Sequence, residues 1–342
     1  MECGRAAGLF SALISPRRNP AGQITRGKGG RAQFVMMAGY GTRLMVWDNL
    51  QNFDLHNHSI ASDGLLTPRA LIELAATTGC EAIALTDHDT TDGLAEAGLV
   101  AQEKNLRFIR GVEISVTWPQ VLDDGANDGT ARADIKPTTI HIIGLGIDPA
   151  NAELALGLES IRAGRLTRAR LMSDDFARVG IEGLFEDAYD FAENKTMIGR
   201  THFARALVAR GLIKSVGKAF ERYLTFGRPG YVAHQWASLA DAVSWINAAG
   251  GVAVVAHPGR YKLSRAEMRL LLNDFKNAGG RAIEVVTGSH QPHQYREYAA
   301  LARELGFMAS RGSDYHGPGE SPFQPGKLPL LPENLIPVWE AL

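Results

Sequence analysis

From Phe53 onward, short apolar runs alternate with segments of helical period, the signature of parallel βα units. Phe53 and Leu55 predict a first strand. Behind it Thr67 supplies an N-cap, Pro68 a proline at the first helical position, Leu71, Leu74 and Ala75 an apolar stripe, and Gly79 a stop. Further strands are expected at Ala82 to Leu85, Phe108 to Ile109, Ile140 to Leu145, Val252 to Val255, Ile283 to Val286 and Phe307 to Met308. Helical patterns surround Leu94 to Gln102, Ala266 to Lys276 and Tyr295 to Leu305. About seven strands in this rhythm fit an α/β barrel rather than a doubly wound sheet.

Between about Ala150 and Trp236 the rhythm breaks into successive helices with no buried strand among them. The chain therefore divides into an extension over 1–50, a first barrel part over 51–150, a helical insertion over 151–236 and a second barrel part over 237–342. Within the insertion, Arg162, Arg165 and Arg168 recur at three-residue intervals, which predicts one basic helical face. Arg200, His202 and Arg205 follow in IGRTHFARAL. Such a face is either plain solvated surface or a clamp, since guanidinium forks match phosphate oxygens.

Composition narrows the class without deciding it. In 342 residues, 45% hydrophobic and 21% charged, a full core is available and no apolar stretch approaches a membrane span. The formal net charge of -1 gives no global attraction for polyanions, so any nucleotide recognition must be local. Cys3 and Cys80 make neither a disulfide framework nor a thiolate metal site, which suits a reducing, cytoplasmic compartment. The first stretch holds Arg5, Arg17, Arg18, Arg26, Lys28, Arg31 and Arg43 against Glu2 alone. Its glycines and prolines spoil the amphipathic helix of a transit peptide, so a disordered tail is expected, with Met36, Met37 or Met45 as alternative starts.

The strands run into histidines and carboxylates. DLHNHSIASDG offers His56, His58 and Asp63; LTDHDT offers Asp87, His88 and Asp89; RGVEISV offers Glu113 after the third strand. His141 stands at the start of the fourth strand, His257 just past an apolar strand in VVAHPGR, and Asp314 and His316 after the last in SDYHG. In βα barrels the C-terminal strand ends form the active-site face, so these residues are expected to converge. Imidazole with carboxylate suits Zn²⁺, Mn²⁺ or Fe, and bridging carboxylates let cations lie close together.

In this order HNHSIASDG, LTDHDT, GVEIS, AHP and SDYHG resemble the motifs of the PHP (polymerase and histidinol phosphatase) family across Asp54 to Gly317. The helical insertion, His141 and the Gly288, Ser289, His290 run are similar to the branch of 3',5'-nucleoside bisphosphate phosphatases and short-RNA exonucleases. The resemblance implies a distorted seven-stranded barrel with an inserted helical domain and three divalent ions, manganese foremost, with iron or zinc as alternatives. It implies one ion held by His56, His58, Glu113 and Asp314, a second by Glu113, His141 and His257, and a third by Asp63, His88 and His316. No expected ligand position is substituted. The segment VLDDGANDGTARADIKP before His141 is longer than the family pattern, and the N-terminal stretch has no family counterpart.

The expected reaction is in-line hydrolysis of a phosphomonoester by a metal-bridging hydroxide. The 3'-phosphate of a nucleoside 3',5'-bisphosphate is the leading target, with short 5'-phosphorylated RNA beside it. His202 is the candidate for protonating the leaving group, Arg200, Arg165 and His290 the candidates for holding substrate, and Asp87 a residue that orients a neighbouring ligand. Rival readings are a histidinol-phosphate or other small phosphomonoester phosphatase, amide hydrolysis by the same activated water, and a non-catalytic metal-stabilised binding module. No membrane attachment and no obligate protein partner is expected.

Overall fold

A computed structural model describes residues 51–119, 135–234 and 236–342. The N-terminal stretch and most of the long segment before His141 lie outside the described residues. Seven strands form one sheet in sequential order: β1 (Phe53–Asp54), β2 (Ala82–Leu85), β3 (Arg107–Trp118), β4 (Thr138–Leu145), β5 (Val252–Val255), β6 (Ala282–Thr287) and β7 (Met308–Gly312). The ring is nearly closed, because Leu55 N–H bonds Arg311 O at 2.9 Å and Asp314 N–H bonds His56 O at 2.9 Å across the β7–β1 seam. β2 and β5 are buried at every residue, as continuous apolar strands covered on both faces must be.

The first helix forms as its sequence dictates. In α1 (Pro68–Thr78) the Thr67 side chain accepts from Ala70 N–H, and Gly79 closes the helix at φ 85°, a left-handed conformation only glycine adopts cheaply. Around the barrel lie α2 (Leu94–Glu103), α3 (Ala152–Ala163), α8 (Leu239–Ala248), α9 (Arg265–Asn277) and α10 (Pro292–Leu305). Between them come α4 (Arg165–Arg178), α5 (Leu184–Asp190), α6 (Arg200–Ala209), α7 (Val216–Ala219) and a π-helical turn at Phe220–Leu224. Leu154, Leu158 and Ile161 of α3 join the barrel core. From Ala169 to Leu224 a second core forms around Met172, Phe176, Phe203 and Leu207.

Three expectations need correction. The strands are not all parallel: β4 runs antiparallel to both β3 and β5. A parallel return requires a crossover, usually a helix, and the interval after Trp118 offers no helical apolar period. β3 is also longer than expected, so Glu113 lies inside it, opposite Ile143, rather than after its end. The reversal brings the N-terminal half of β4, with His141 opposite Ser115, to the rim where the parallel strands end. Nor do Arg162, Arg165 and Arg168 share one helix, because the chain turns at Gly164 between α3 and α4. A Cβ at Gly164 would stand 2.6 Å from the His234 ring, which explains the glycine.

Candidate active site

Nine side chains predicted as ligands converge on the rim of the barrel. His56 Nε2 and His58 Nε2 lie 3.1 Å apart. Glu113 Oε2 is 3.4 Å from each of them, and Asp314 Oδ1 is 3.5 Å from the first and 3.3 Å from the second. Ligand atoms about 2.1 Å from one cation must stand roughly 3.0–3.5 Å from each other, by simple octahedral or tetrahedral geometry. Observed separations are those of donors aimed at one common point. Glu113 Oε2 and Asp314 Oδ1 are buried there without a well-directed hydrogen bond, which is how oxygens facing a cation would stand.

The other oxygen of Glu113 faces a different pair. Oε1 lies 2.9 Å from His141 Nδ1 and 3.0 Å from His257 Nε2. One carboxylate thus looks in two directions, the geometry of a bridge between neighbouring cations. Asp63 gathers a third group: His316 Nε2 at 3.5 Å, His88 Nε2 at 3.9 Å and His58 Nδ1 at 3.9 Å. His88 also turns Nδ1 to Glu113 Oε2 at 3.0 Å, so it stands between groups. Burial opposes their ionisation, but the surrounding imidazoles hold Glu113, Asp63 and Asp314 well below the usual carboxylate range. The histidines are pulled apart: burial and His316 bring His58 down to about 3, whereas Asp63 and Asp314 overcome burial to lift His316 to about 9. Ionised acids and crowded imidazoles fit a divalent-cation cluster, and the donor set suits Zn²⁺, Mn²⁺ or Fe.

Buried polar groups behind the ligands fix them. Asp87 accepts from Ser59 N–H at 2.7 Å, Ser59 Oγ at 2.6 Å and Ser62 Oγ at 2.6 Å, pinning the loop that carries His58 and Asp63. Thr201 Oγ donates to Asp63 Oδ2 at 2.8 Å from α6. Glu284 went unnoticed in the sequence, yet it bonds His56 Nδ1 at 3.0 Å and His257 N–H at 2.6 Å. Its signal was legible: one acid inside the apolar run AIEVV needs a buried partner. His257, Asp314 and Asp89 have φ of 27°, 54° and 46°, strained values for residues with a side chain, held by the bonds around them.

Opposite the ligands, arginines line a cavity of about 530 Å³. Arg165 pairs with Asp89 and lies over the Trp236 ring at 4.9 Å. Arg168 shares that ring at 5.3 Å and donates Nε to Val232 O at 3.1 Å. Arg200 stands over Phe220 at 5.8 Å, with no carboxylate partner among the described residues. Arg260 donates to Asp314 Oδ2 at 2.9 Å. Burial, then Arg200 and Arg165, push Arg168 down to about 9. Arg168 was named from sequence only as one of a basic row that could clamp phosphate, and Arg260 not at all, because only the fold brings them beside Arg200.

Two predicted residues do not reach the cavity lining. His202 is buried with Nδ1 accepting from Gly199 N–H at 3.0 Å, so it caps α6 from behind the cavity wall. His290 is equally enclosed: Nδ1 bonds Val285 O at 3.1 Å and Nε2 accepts from Gly259 N–H at 2.8 Å. Both ring nitrogens are spent on backbone, supporting the turn after His257 rather than substrate.

Known proteins share this arrangement of sequence and fold. A family model for the PHP domain matches residues 54–288. A 3',5'-nucleoside bisphosphate phosphatase of Chromobacterium violaceum is 47% identical over 293 residues, covering 86% of this chain and 97% of that protein. A 5'-3' exoribonuclease of Haemophilus influenzae is 36% identical over 290 residues, covering 85% and 98%. A solved structure of an amidohydrolase from Chromobacterium violaceum, with bound sulfate and no metal, matches at a TM-score of 0.78 and 48% identity over 84% of this chain and 95% of that one. Among the described residues, no helix is long and apolar enough to cross a membrane.

Proposed function

The chain belongs to the PHP domain family of metal-dependent phosphoesterases, and on that premise we propose that it removes the 3'-phosphate of nucleoside 3',5'-bisphosphates. The observation carrying this reading is the pairing, across one cavity, of a cation-binding cluster with Arg168 and Arg200. A cluster alone serves any phosphomonoester, whereas guanidiniums facing it serve a second phosphate.

Three ions, manganese by preference, would be held as the donors group. His56, His58, Asp314 and Glu113 take the first, Glu113, His141 and His257 the second, and Asp63, His88 and His316 the third. Divalent ions so held supply Lewis acidity, offsetting phosphoryl charge and acidifying a water for attack. The protein's own part is orientation. Arg200 and Arg168 grip the phosphate that is not cleaved, Trp236 keeps Arg165 and Arg168 facing inward, and Glu284 holds His56 and His257 in place. An amide substrate would leave Arg168 and Arg200 without an anion, which favours phosphate ester over amide. A nucleotide substrate supports the cytoplasm as the working compartment.

The test is phosphate release by manganese-loaded protein from adenosine 3',5'-bisphosphate beside AMP, histidinol phosphate and a short 5'-phosphorylated RNA. Preference for the bisphosphate supports the reading. Preference for histidinol phosphate would overturn it, and preference for RNA would move the activity to exonucleolysis.

A further inference from the structure

The loop after the π-helical turn carries Phe226, which at 73% exposure is the most exposed large hydrophobic among the described residues. A single exposed aromatic needs no explanation by itself. Its surroundings are what distinguish this one. The ring packs against Tyr231, centroids 5.5 Å apart at 67°, and Lys136 Nζ stands 5.7 Å from its centroid. Tyr231 is followed by Val232, whose carbonyl accepts from cavity-lining Arg168 Nε at 3.1 Å. Lys136 comes from the other side, just ahead of cavity-lining Thr139. Phe226 therefore sits between the insertion and the approach to β4, outside the cavity lining, with Phe220 a few residues before it and Thr139 a few residues after Lys136 both belonging to that lining.

The loop is also built to hold its shape. Arg228 N–H bonds Thr225 O at 3.0 Å, Tyr231 N–H bonds Arg228 O at 3.0 Å, and Gly230 N–H bonds Tyr223 O at 2.9 Å. Gly230 lies so close to the insertion core that a Cβ there would stand 2.4 Å from the Phe176 ring. From Ser215 to Tyr231 the chain carries Lys218, Arg222 and Arg228 against Glu221 alone. An exposed aromatic pair on an anchored loop, with a lysine at its ring and a cavity-lining arginine held by the residue beside it, is the kind of platform single-stranded polynucleotide binders use.

We infer that Phe226 and Tyr231 form an external stacking subsite for the nucleotide next along an oligoribonucleotide whose terminal phosphate is gripped by Arg168 and Arg200, with Lys136 beside the phosphate that follows the stacked base rather than the one that is cleaved. This rests on the nucleotide reading of the cavity. The chain then has a strand-binding surface that a lone bisphosphate does not use.

The test compares KM and kcat of manganese-loaded wild type, Phe226→Ala and Phe226→Trp on adenosine 3',5'-bisphosphate and on a 5'-phosphorylated pentaadenylate. Stacking on one base by alanine substitution predicts a rise of about tenfold in pentamer KM for Phe226→Ala, with kcat held. The bisphosphate should change by less than about twofold, and Phe226→Trp should recover the pentamer KM. An unchanged pentamer KM, or an equal loss on both substrates, overturns the subsite. Wild-type failure on the bisphosphate and the pentamer alike sinks the nucleotide reading itself, and the subsite with it.

Discussion

Glu284 Oε1 lies 3.0 Å from His56 Nδ1, and both residues are fully buried inside the barrel. The carboxylate makes Nδ1 the protonated nitrogen, so Nε2 presents its lone pair to the point shared with His58, Glu113 and Asp314. Its second oxygen holds His257 N–H, tying two ligand groups to one acid.

Replacing Glu284 with Gln keeps the size but puts an amide where one oxygen is needed. Affinity for manganese, followed by calorimetric titration of the metal-free protein, should fall roughly 10- to 100-fold. Unchanged affinity would reduce Glu284 to a packing residue.

His257→Ala and Asp314→Ala should each lose bound metal and phosphatase activity together. Metal analysis beside phosphate release checks this, and either variant retaining full activity would refute the ligand grouping.

Arg200 has no carboxylate partner among the described residues, so its loss should be felt by substrate. For Arg200→Ala, kcat/KM on adenosine 3',5'-bisphosphate should drop roughly 10- to 100-fold, the value of a charge-assisted hydrogen bond, with little change on p-nitrophenyl phosphate. Equal losses on both would remove Arg200 from the second-phosphate role.

His290 gives a pH dependence with a definite sign. Burial holds its imidazole down from 6.5 to about 4, and its Nε2 is already an acceptor for Gly259 N–H. Above 6.5 the folded and unfolded chains are both neutral there, and nothing is lost. As pH falls from 6.5 to 4 the unfolded chain takes up a proton that the fold refuses, so stability drops by about 3 kcal/mol and then levels. Denaturant midpoints across that window should decline less steeply for His290→Gln than for wild type; parallel slopes would show that His290 titrates normally.

Much of the fold was legible because its signals are local. Thr67, Pro68 and Gly79 specify both ends of α1 through a cap, a fixed φ and a left-handed stop. The apolar runs at Ala82 and Val252 could only be buried strands. The direction of β4 was not legible, since hydrophobic pattern is the same whichever way a strand runs. The break between α3 and α4 at Gly164 was not legible either, and only the approach of His234 shows why no side chain fits there.

The metal-ligand candidates were legible for a related reason: each follows or lies on a strand whose position the sequence marks. His202 and His290 show the limit of reading residue types. An imidazole can serve as ligand, acid or backbone acceptor, and which one depends on neighbours far along the chain, such as Gly259 for His290. By itself the sequence determined the strands, the caps and the inventory of donors, because these rest on period and residue chemistry. Tertiary structure alone decided that Glu113 faces two ways, that Glu284 stands behind His56, and that four arginines share one cavity. Those are distances between residues far apart in sequence, and only the folded chain sets them.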